Sequence, residues 1–259
     1  MEQVITSTKN PRIKHLLALQ QKSSERRRAG LFLVEGQREL EHCLEAGFEV
    51  AELYVCSELL SSDFQYSAFN TQLVNPAVYE RIAYRGTTEG VVAIVRARHL
   101  QLADLQLPAN PLIVVLESVE KPGNLGAILR SADAAGADAV IVCDPLPDLY
   151  NPNLIRASIG AVFTVPTVAC SSSECIAFLQ AHGIQILTAQ LQDSHPYYDT
   201  DMRQPTTIVM GTESTGLTDQ WRQAATAHIR IPMLGRLDSL NVSVSSAILL
   251  YEAVRQRES

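Results

Sequence analysis

No stretch of this 259-residue chain approaches the ~20 consecutive apolar residues that a membrane-spanning helix needs. The longest apolar runs, such as PLIVVL at 111–116, are far shorter. The opening MEQVITSTKNPRIKH has no apolar stretch of the kind a secretory signal carries. Cysteines are few and odd in number (Cys43, Cys56, Cys143, Cys170, Cys175) and form no CxxC pair, so their spacing indicates neither zinc nor a disulfide framework. A cytoplasmic protein with no membrane partner and no metal is the expectation. Two further absences narrow the chemistry: no GxGxxG and no GxxxxGKS/T occurs, which weakens dinucleotide-dependent oxidoreductase and phosphate-loop readings. A net charge of −7 argues against a general, non-specific nucleic-acid binder.

What charge there is lies unevenly. Residues 1–38 hold eight Lys or Arg (Lys9, Arg12, Lys14, Lys22, Arg26, Arg27, Arg28, Arg38) against three Glu, leaving +5 there and −12 in the rest. Such a run is either a solvated helix face or a phosphate-contacting patch, and the sequence leaves both open.

Periodicity organises the remainder. From 111 onward, Val- and Ile-rich runs at 111–119, 137–144, 163–170, 184–190, 206–212 and 228–233 are apolar nearly throughout, as in strands buried on both faces. Helical segments are expected between them near 124–136, 151–161, 172–182 and 218–226, with a long last one at 240–257. Strand and helix in alternation mean an α/β parallel sheet. Before it comes a smaller α/β unit: helix PRIKHLLALQQK, strand LFLVEG, helix RELEHCLEAG, strand AELYVC and strand GVVAIVRAR. The proline-bearing HLQLADLQLPANP (99–111) is a natural linker, so the expected domains are 1–105 and 106–259.

Three stretches could carry chemistry. KPGNLGAILRSADAAGA (121–137) follows a strand with a tight turn, Asn124 is placed to cap the helix, and Arg130 stands about two turns in. GTESTGL (211–217) brackets Glu213 with glycines that let backbone approach a ligand closely. In IPMLGRLDSLNVSVSSAILLYEA (231–253), Asp238, Ser239 and Asn241 open the last helix, followed by small residues that permit close packing. Taken singly, each is equally an ordinary turn or cap.

Together and in this order, the three stretches resemble the signature motifs of the SpoU or TrmH branch of the SPOUT RNA methyltransferases, over roughly 111–259, and NPNLIRASIGAVF (151–163) is similar to a further family segment. More loosely, the N-terminal part looks like the substrate-binding domain that precedes the catalytic one in many members. The resemblance implies a C-terminal parallel-sheet SPOUT domain with a deep trefoil knot, behind a smaller α/β RNA substrate-binding domain, and a homodimer. It implies transfer of a methyl group from S-adenosylmethionine to a ribose 2′-hydroxyl of a structured RNA, ribosomal RNA before transfer RNA. By the same carry-over, Ala189, Gln190, Gly211, Ile231, Met233 and Leu240 hold the donor's adenine, while Arg130, Asn124, Glu213, Ser239 and Asn241 line the reaction centre. Lys9, Arg12, Lys14, Arg26, Arg27, Arg28 and Arg156 are the expected RNA contacts.

The family proposal makes Arg130 the base. An arginine titrates above ~12 and a nearby phosphate keeps it protonated, so orienting the phosphate and ribose suits it better, with the proton leaving to water or Ser239. Asn153 stands where relatives often carry Lys, which transfers one phosphate contact to Arg156. A protein that keeps the fold and only binds RNA is the alternative from another class; the presence of Asn124, Arg130, Glu213, Ser239 and Asn241 together speaks against it. His195, in DSHPYYD beside two tyrosines, could stack on a base or simply be an exposed loop histidine.

Overall fold

Three helices start on the same device, an asparagine followed by proline: Asn10, Asn75 and Asn151 each accept a backbone N–H of the first turn, and the proline at the next position needs no acceptor for a donor it lacks. The computed structural model describes residues 4–60, 64–84, 89–119, 121–144, 147–212 and 215–258. In chain order the elements are α1 (Pro11–Gln21), α2 (Ser23–Ala29), β1 (Leu31–Glu35), α3 (Gln37–Glu45), β2 (Val50–Val55), β3 (Thr71–Leu73), α4 (Pro76–Ile82) and β4 (Val91–Arg96). They continue as β5 (Leu112–Glu117), α5 (Pro122–Ala134), β6 (Ala139–Cys143), α6 (Pro152–Ser158), α7 (Ala161–Thr164), β7 (Thr167–Cys170), α8 (Ser172–Ala181) and β8 (Gln185–Ala189). The last are β9 (His195–Pro196), β10 (Thr206–Met210), α9 (Asp219–Ala224), β11 (Ala227–Arg230) and α10 (Val242–Arg257).

The chain forms two compact units, 1–98 with 148–164, and 99–147 with 165–259. In the first, a four-stranded mixed sheet runs β1-β4-β2-β3, and Ile13, Leu16 and Leu19 of α1 enter its core. The 148–164 segment belongs to this unit for visible reasons. Tyr150 stacks on Phe32 at 4.2 Å between ring centroids, Phe163 lies 5.8 Å from the same ring, and Asp148 pairs with Arg26.

The second unit is a seven-stranded, all-parallel sheet in the order β7-β6-β5-β10-β8-β11-β9. Its central strands are buried throughout, which explains their continuous apolar runs. Helix α10 packs on α5. Near its end, Arg257 donates to the carbonyls of Met202 (3.0 Å), Asn110 (3.0 Å), Pro111 (3.0 Å) and Gln204 (2.9 Å), tying the segments that lead into β5 and β10.

Two expectations are corrected. Phe163 and Thr164, read as the start of a strand, close the short helix α7, and the strand begins only after Pro166. Asn124 does not cap α5: Pro122 occupies the first turn, the helix starts two residues earlier, and Lys121 holds the cap position.

Candidate active site

Strands β8, β10 and β11 all point their C-terminal ends to one edge of the sheet, the place where open parallel sheets leave room for a ligand. The segments leaving them enclose a cleft of ≈ 310 Å³. Met210, Leu217, Ile229 and Leu249 supply apolar wall, and α10 contributes Val242 and Ser245. Ala189, Gln190, Gly211, Ile231, Met233 and Leu240, the positions expected to receive an adenine, all line this cleft, and so does Ser239.

The 211–217 loop owes its shape to glycine. A Cβ on Gly211 would lie 2.4 Å from the carbonyl carbon of Gly216 and 2.5 Å from its oxygen, so only glycine lets the two strands of the loop touch. Gly216 itself has φ +67°. Thr212 closes the loop by accepting the Gly216 N–H at its carbonyl (3.1 Å) and the Thr215 N–H at its hydroxyl (3.1 Å). Glu213 lies outside the described residues.

Two buried polar atoms of residues that line the cleft lack a partner among the described residues. The Gln190 side chain donates from Nε2 to the Gln192 carbonyl at 2.8 Å, but its Oε1 is buried and unmatched, as is Nε of Arg222. A buried polar group left unpaired costs about 1–3 kcal/mol; the cleft surface itself joins apolar wall to polar Thr212, Asp238 and Ser239, which suits a flat ligand with polar edges.

Beyond the cleft lining, Asn241 caps α10 by accepting the Ser243 N–H at 3.0 Å, and with its Nδ2 donates to Asn124 Oδ1 at 3.1 Å. The first and third motifs therefore meet through two side-chain amides. Ser239 donates to Asp238 Oδ1 at 3.3 Å. Arg130 projects to solvent from α5 and is not part of the cleft wall.

Sequence reasoning passed over Glu117, the last residue of β5, which is 2 % exposed. Its carboxylate accepts the Thr218 N–H (2.8 Å), the Thr218 hydroxyl (2.7 Å) and the Ser172 hydroxyl (3.4 Å), and Ser172 in turn accepts the Trp221 indole N–H at 3.0 Å. Thr218 directly follows the glycine-bracketed loop, so Glu117 anchors that loop's exit. The available signal was a single charged residue ending the apolar run LIVVLE. Arg222 was also missed; nothing in TDQWRQAA distinguishes it from a surface arginine of an amphipathic helix.

In the first unit, Lys9, Arg12, Lys14, Arg27 and Arg28 are exposed, Arg12 in an ion pair with Glu52 and Arg28 in one with Glu25. Arg26 departs from the expectation of a phosphate contact. It is 5 % exposed, donates from Nε to Asp148 at 3.0 Å and from Nη1 to the Gln20 carbonyl at 3.1 Å, and so spends its charge internally. Arg156 is exposed on α6, while Asn153 accepts the Tyr84 hydroxyl at 2.8 Å. His195 is bonded to Thr200 Oγ1 at 2.6 Å, and the exposed ring beside it is Tyr198.

Comparison with known proteins adds the following. Residues 111–251 match the SpoU rRNA Methylase family model, and residues 10–93 match the MRM3-like substrate binding domain. A 23S rRNA (uridine(2479)-2′-O)-methyltransferase of Streptomyces viridochromogenes is 32% identical over 98% of this chain and 92% of its own length. Among solved structures, an RNA 2′-O ribose methyltransferase superposes with a TM-score of 0.87 at 42% identity, covering 99% of this chain and 100% of that one. An AdoMet-bound rRNA methyltransferase from Sinorhizobium meliloti superposes with a TM-score of 0.89 at 31% identity, covering 98% and 97%.

Proposed function

Since the chain belongs to the SpoU rRNA methylase family, we propose that it transfers the methyl group of S-adenosylmethionine to a ribose 2′-hydroxyl, with ribosomal RNA as substrate ahead of transfer RNA. The observation that carries this reading is the cleft at the ends of β8, β10 and β11, which joins apolar wall from Met210, Leu217, Ile229 and Leu249 to polar lining from Thr212, Asp238 and Ser239. An adenine has an apolar face for those walls and polar edges for the backbone and side chains beside them. The 23S rRNA relative and the AdoMet-bound structure support the same substrates.

When bound, the donor supplies an electrophilic methyl group; the chain's own task is to align a ribose oxygen with it and remove one proton. Holding two reactants in attack geometry is worth about 7–11 kcal/mol of the barrier. Ala189, Gln190, Gly211, Ile231, Met233 and Leu240 hold the donor. Asn124 and Asn241, tied to each other, fix the first and third motifs, and Ser239, whose hydroxyl donates to Asp238, stands at the cleft to relay the proton to that carboxylate or to water. Arg130, exposed on α5, binds the phosphate beside the target ribose through its planar guanidinium and steadies it. Glu213 is retained in the reaction centre on resemblance alone.

Residues 1–105, with exposed Lys9, Arg12, Lys14, Arg27 and Arg28, recognise the RNA together with Arg156 of α6, and the rest of 106–259 performs catalysis. The strand order, in which β10 lies between the earlier β5 and β8, supports the trefoil knot of the family. Leu234, Leu237, Val244 and Tyr251 are exposed at 99%, 79%, 48% and 50%, an apolar set that supports homodimerisation. No described helix is long and apolar enough to cross a membrane; the cytoplasm, where ribosomal RNA is found, is the compartment this function requires.

The test is methyl transfer from S-adenosylmethionine labelled in its methyl group to unmodified ribosomal RNA and, separately, transfer RNA, with Arg130→Ala as control. Label in alkali-resistant dinucleotides of ribosomal RNA, lost in the variant, is the expected result. Transfer to neither RNA together with no donor binding by calorimetry overturns the reading and leaves RNA binding without catalysis.

A further inference from the structure

Outside the cleft, three cysteines from three elements converge at the same edge of the sheet. Cys143 ends β6, Cys170 ends β7, and Cys175 lies in the second turn of α8; their sulfur atoms all lie within 4.8 Å of one another. Spacing along the chain conceals the grouping, because 27 residues separate the first two and the motif contains no CxxC. We propose that Cys143, Cys170 and Cys175 form a three-thiolate site for a thiophilic divalent ion of the zinc type.

The geometry suits such an ion. Sulfurs around one zinc at ~2.3 Å stand roughly 3.8 Å apart, so the three need to draw in by no more than about an ångström, within reach of small χ1 changes. Cys143 and Cys175 are fully buried while Cys170 is partly exposed, which gives the ion a way in and leaves a fourth position for water. Binding displaces the remaining thiol protons to solvent, and three thiolates with one divalent ion leave a single negative charge. Cys170 directly precedes Ser171, the cap of α8, where the helix dipole favours anions, while the carboxylates of Asp144 and Glu174 nearby oppose that charge. The surroundings are built to stay in place, since Asp144 Oδ2 accepts the Ser172 N–H at 2.7 Å and the Ser171–Glu174 capping box fixes the first turn. Three cysteines can also meet as small apolar side chains in a core, and the experiment separates that arrangement from an ion site.

The full-length protein, reduced with a phosphine that does not bind metal, is titrated with Co²⁺ while thiolate-to-metal charge transfer is followed in the near ultraviolet. A band that saturates at one equivalent, is displaced by Zn²⁺ and is lost in Cys170→Ser is the expected result, with Zn²⁺ raising the Tm of the parent protein and not of the variant. Serine at the buried Cys143 or Cys175 risks misfolding, so Cys170 is the diagnostic position, and unchanged affinity of Cys170→Ser for S-adenosylmethionine shows that the variant is folded. No band at one equivalent, or an equal band in folded Cys170→Ser, overturns the site.

Discussion

Asn241 serves two elements at once: its Oδ1 caps α10 through the Ser243 N–H at 3.0 Å, and its Nδ2 donates to Asn124 Oδ1 at 3.1 Å, 117 residues away in sequence. The two bonds separate experimentally. Asn241→Ala loses both and is expected to cost about 1 kcal/mol from the cap alone. Asn241→Ser restores a capping oxygen but cannot reach Asn124. Urea denaturation and methyl transfer measured on both variants should show stability recovered in the serine variant and transfer still reduced; equal transfer by Asn241→Ser and the parent sinks the positioning role.

Gly211→Ala places a Cβ against backbone, 2.4 Å from a carbonyl carbon of Gly216, where no side chain can swing aside. The loop must open, and the cleft wall moves with it. Donor affinity measured by calorimetry is expected to fall at least roughly tenfold, about 1.4 kcal/mol. Unchanged affinity means the loop does not hold the donor.

Arg130 stands in solvent on α5, so removing it should leave stability within about 0.5 kcal/mol of the parent. Arg130→Ala should lose methyl transfer with donor affinity intact. Arg130→Lys discriminates the roles: a phosphate-orienting cation is partly replaced by lysine with no new pH dependence, whereas a rate that rises toward lysine's pKa makes residue 130 the base.

Two neighbouring arginines should behave oppositely. Arg26→Ala strands Asp148 without its buried partner and is expected to cost about 3 kcal/mol in denaturant unfolding. Arg27→Ala, at an exposed position, should leave unfolding unchanged and weaken RNA binding, with a shallower salt dependence. RNA affinity insensitive to Arg27→Ala at low salt removes α2 from the RNA contacts.

Much of this architecture was legible because buried parallel strands advertise themselves: LIVVL, AVIVC and TTIVM are apolar on both faces and bounded by turns. The shorter strands were not, since Thr71–Leu73 and His195–Pro196 hold too few residues for any period to register. Charge hid its meaning too. Three consecutive arginines at 26–28 look alike in the chain, yet Arg26 turns inward and its neighbours do not, a distinction set by where Asp148 arrives from 122 residues away. Glu117 and the cysteine group share that character: their partners assemble only when distant strands pair in register, Cys143 beside Glu117 and Cys170 beside Cys143.

The place of β10 sets an order on the protein's birth at the ribosome. This strand lies at the middle of the seven-stranded sheet, between β5 and β8, yet it is among the last to be synthesised. Until residues 206–210 emerge, the β7-β6-β5 half carries a bare hydrogen-bonding edge and β8 has no neighbour at all. An open edge of this kind invites pairing with other chains. The nascent protein is therefore most exposed to aggregation just before residues 206–210 emerge, and conditions that slow synthesis there, such as rare codons after residue 190, should lower its soluble yield without touching any residue of the finished molecule.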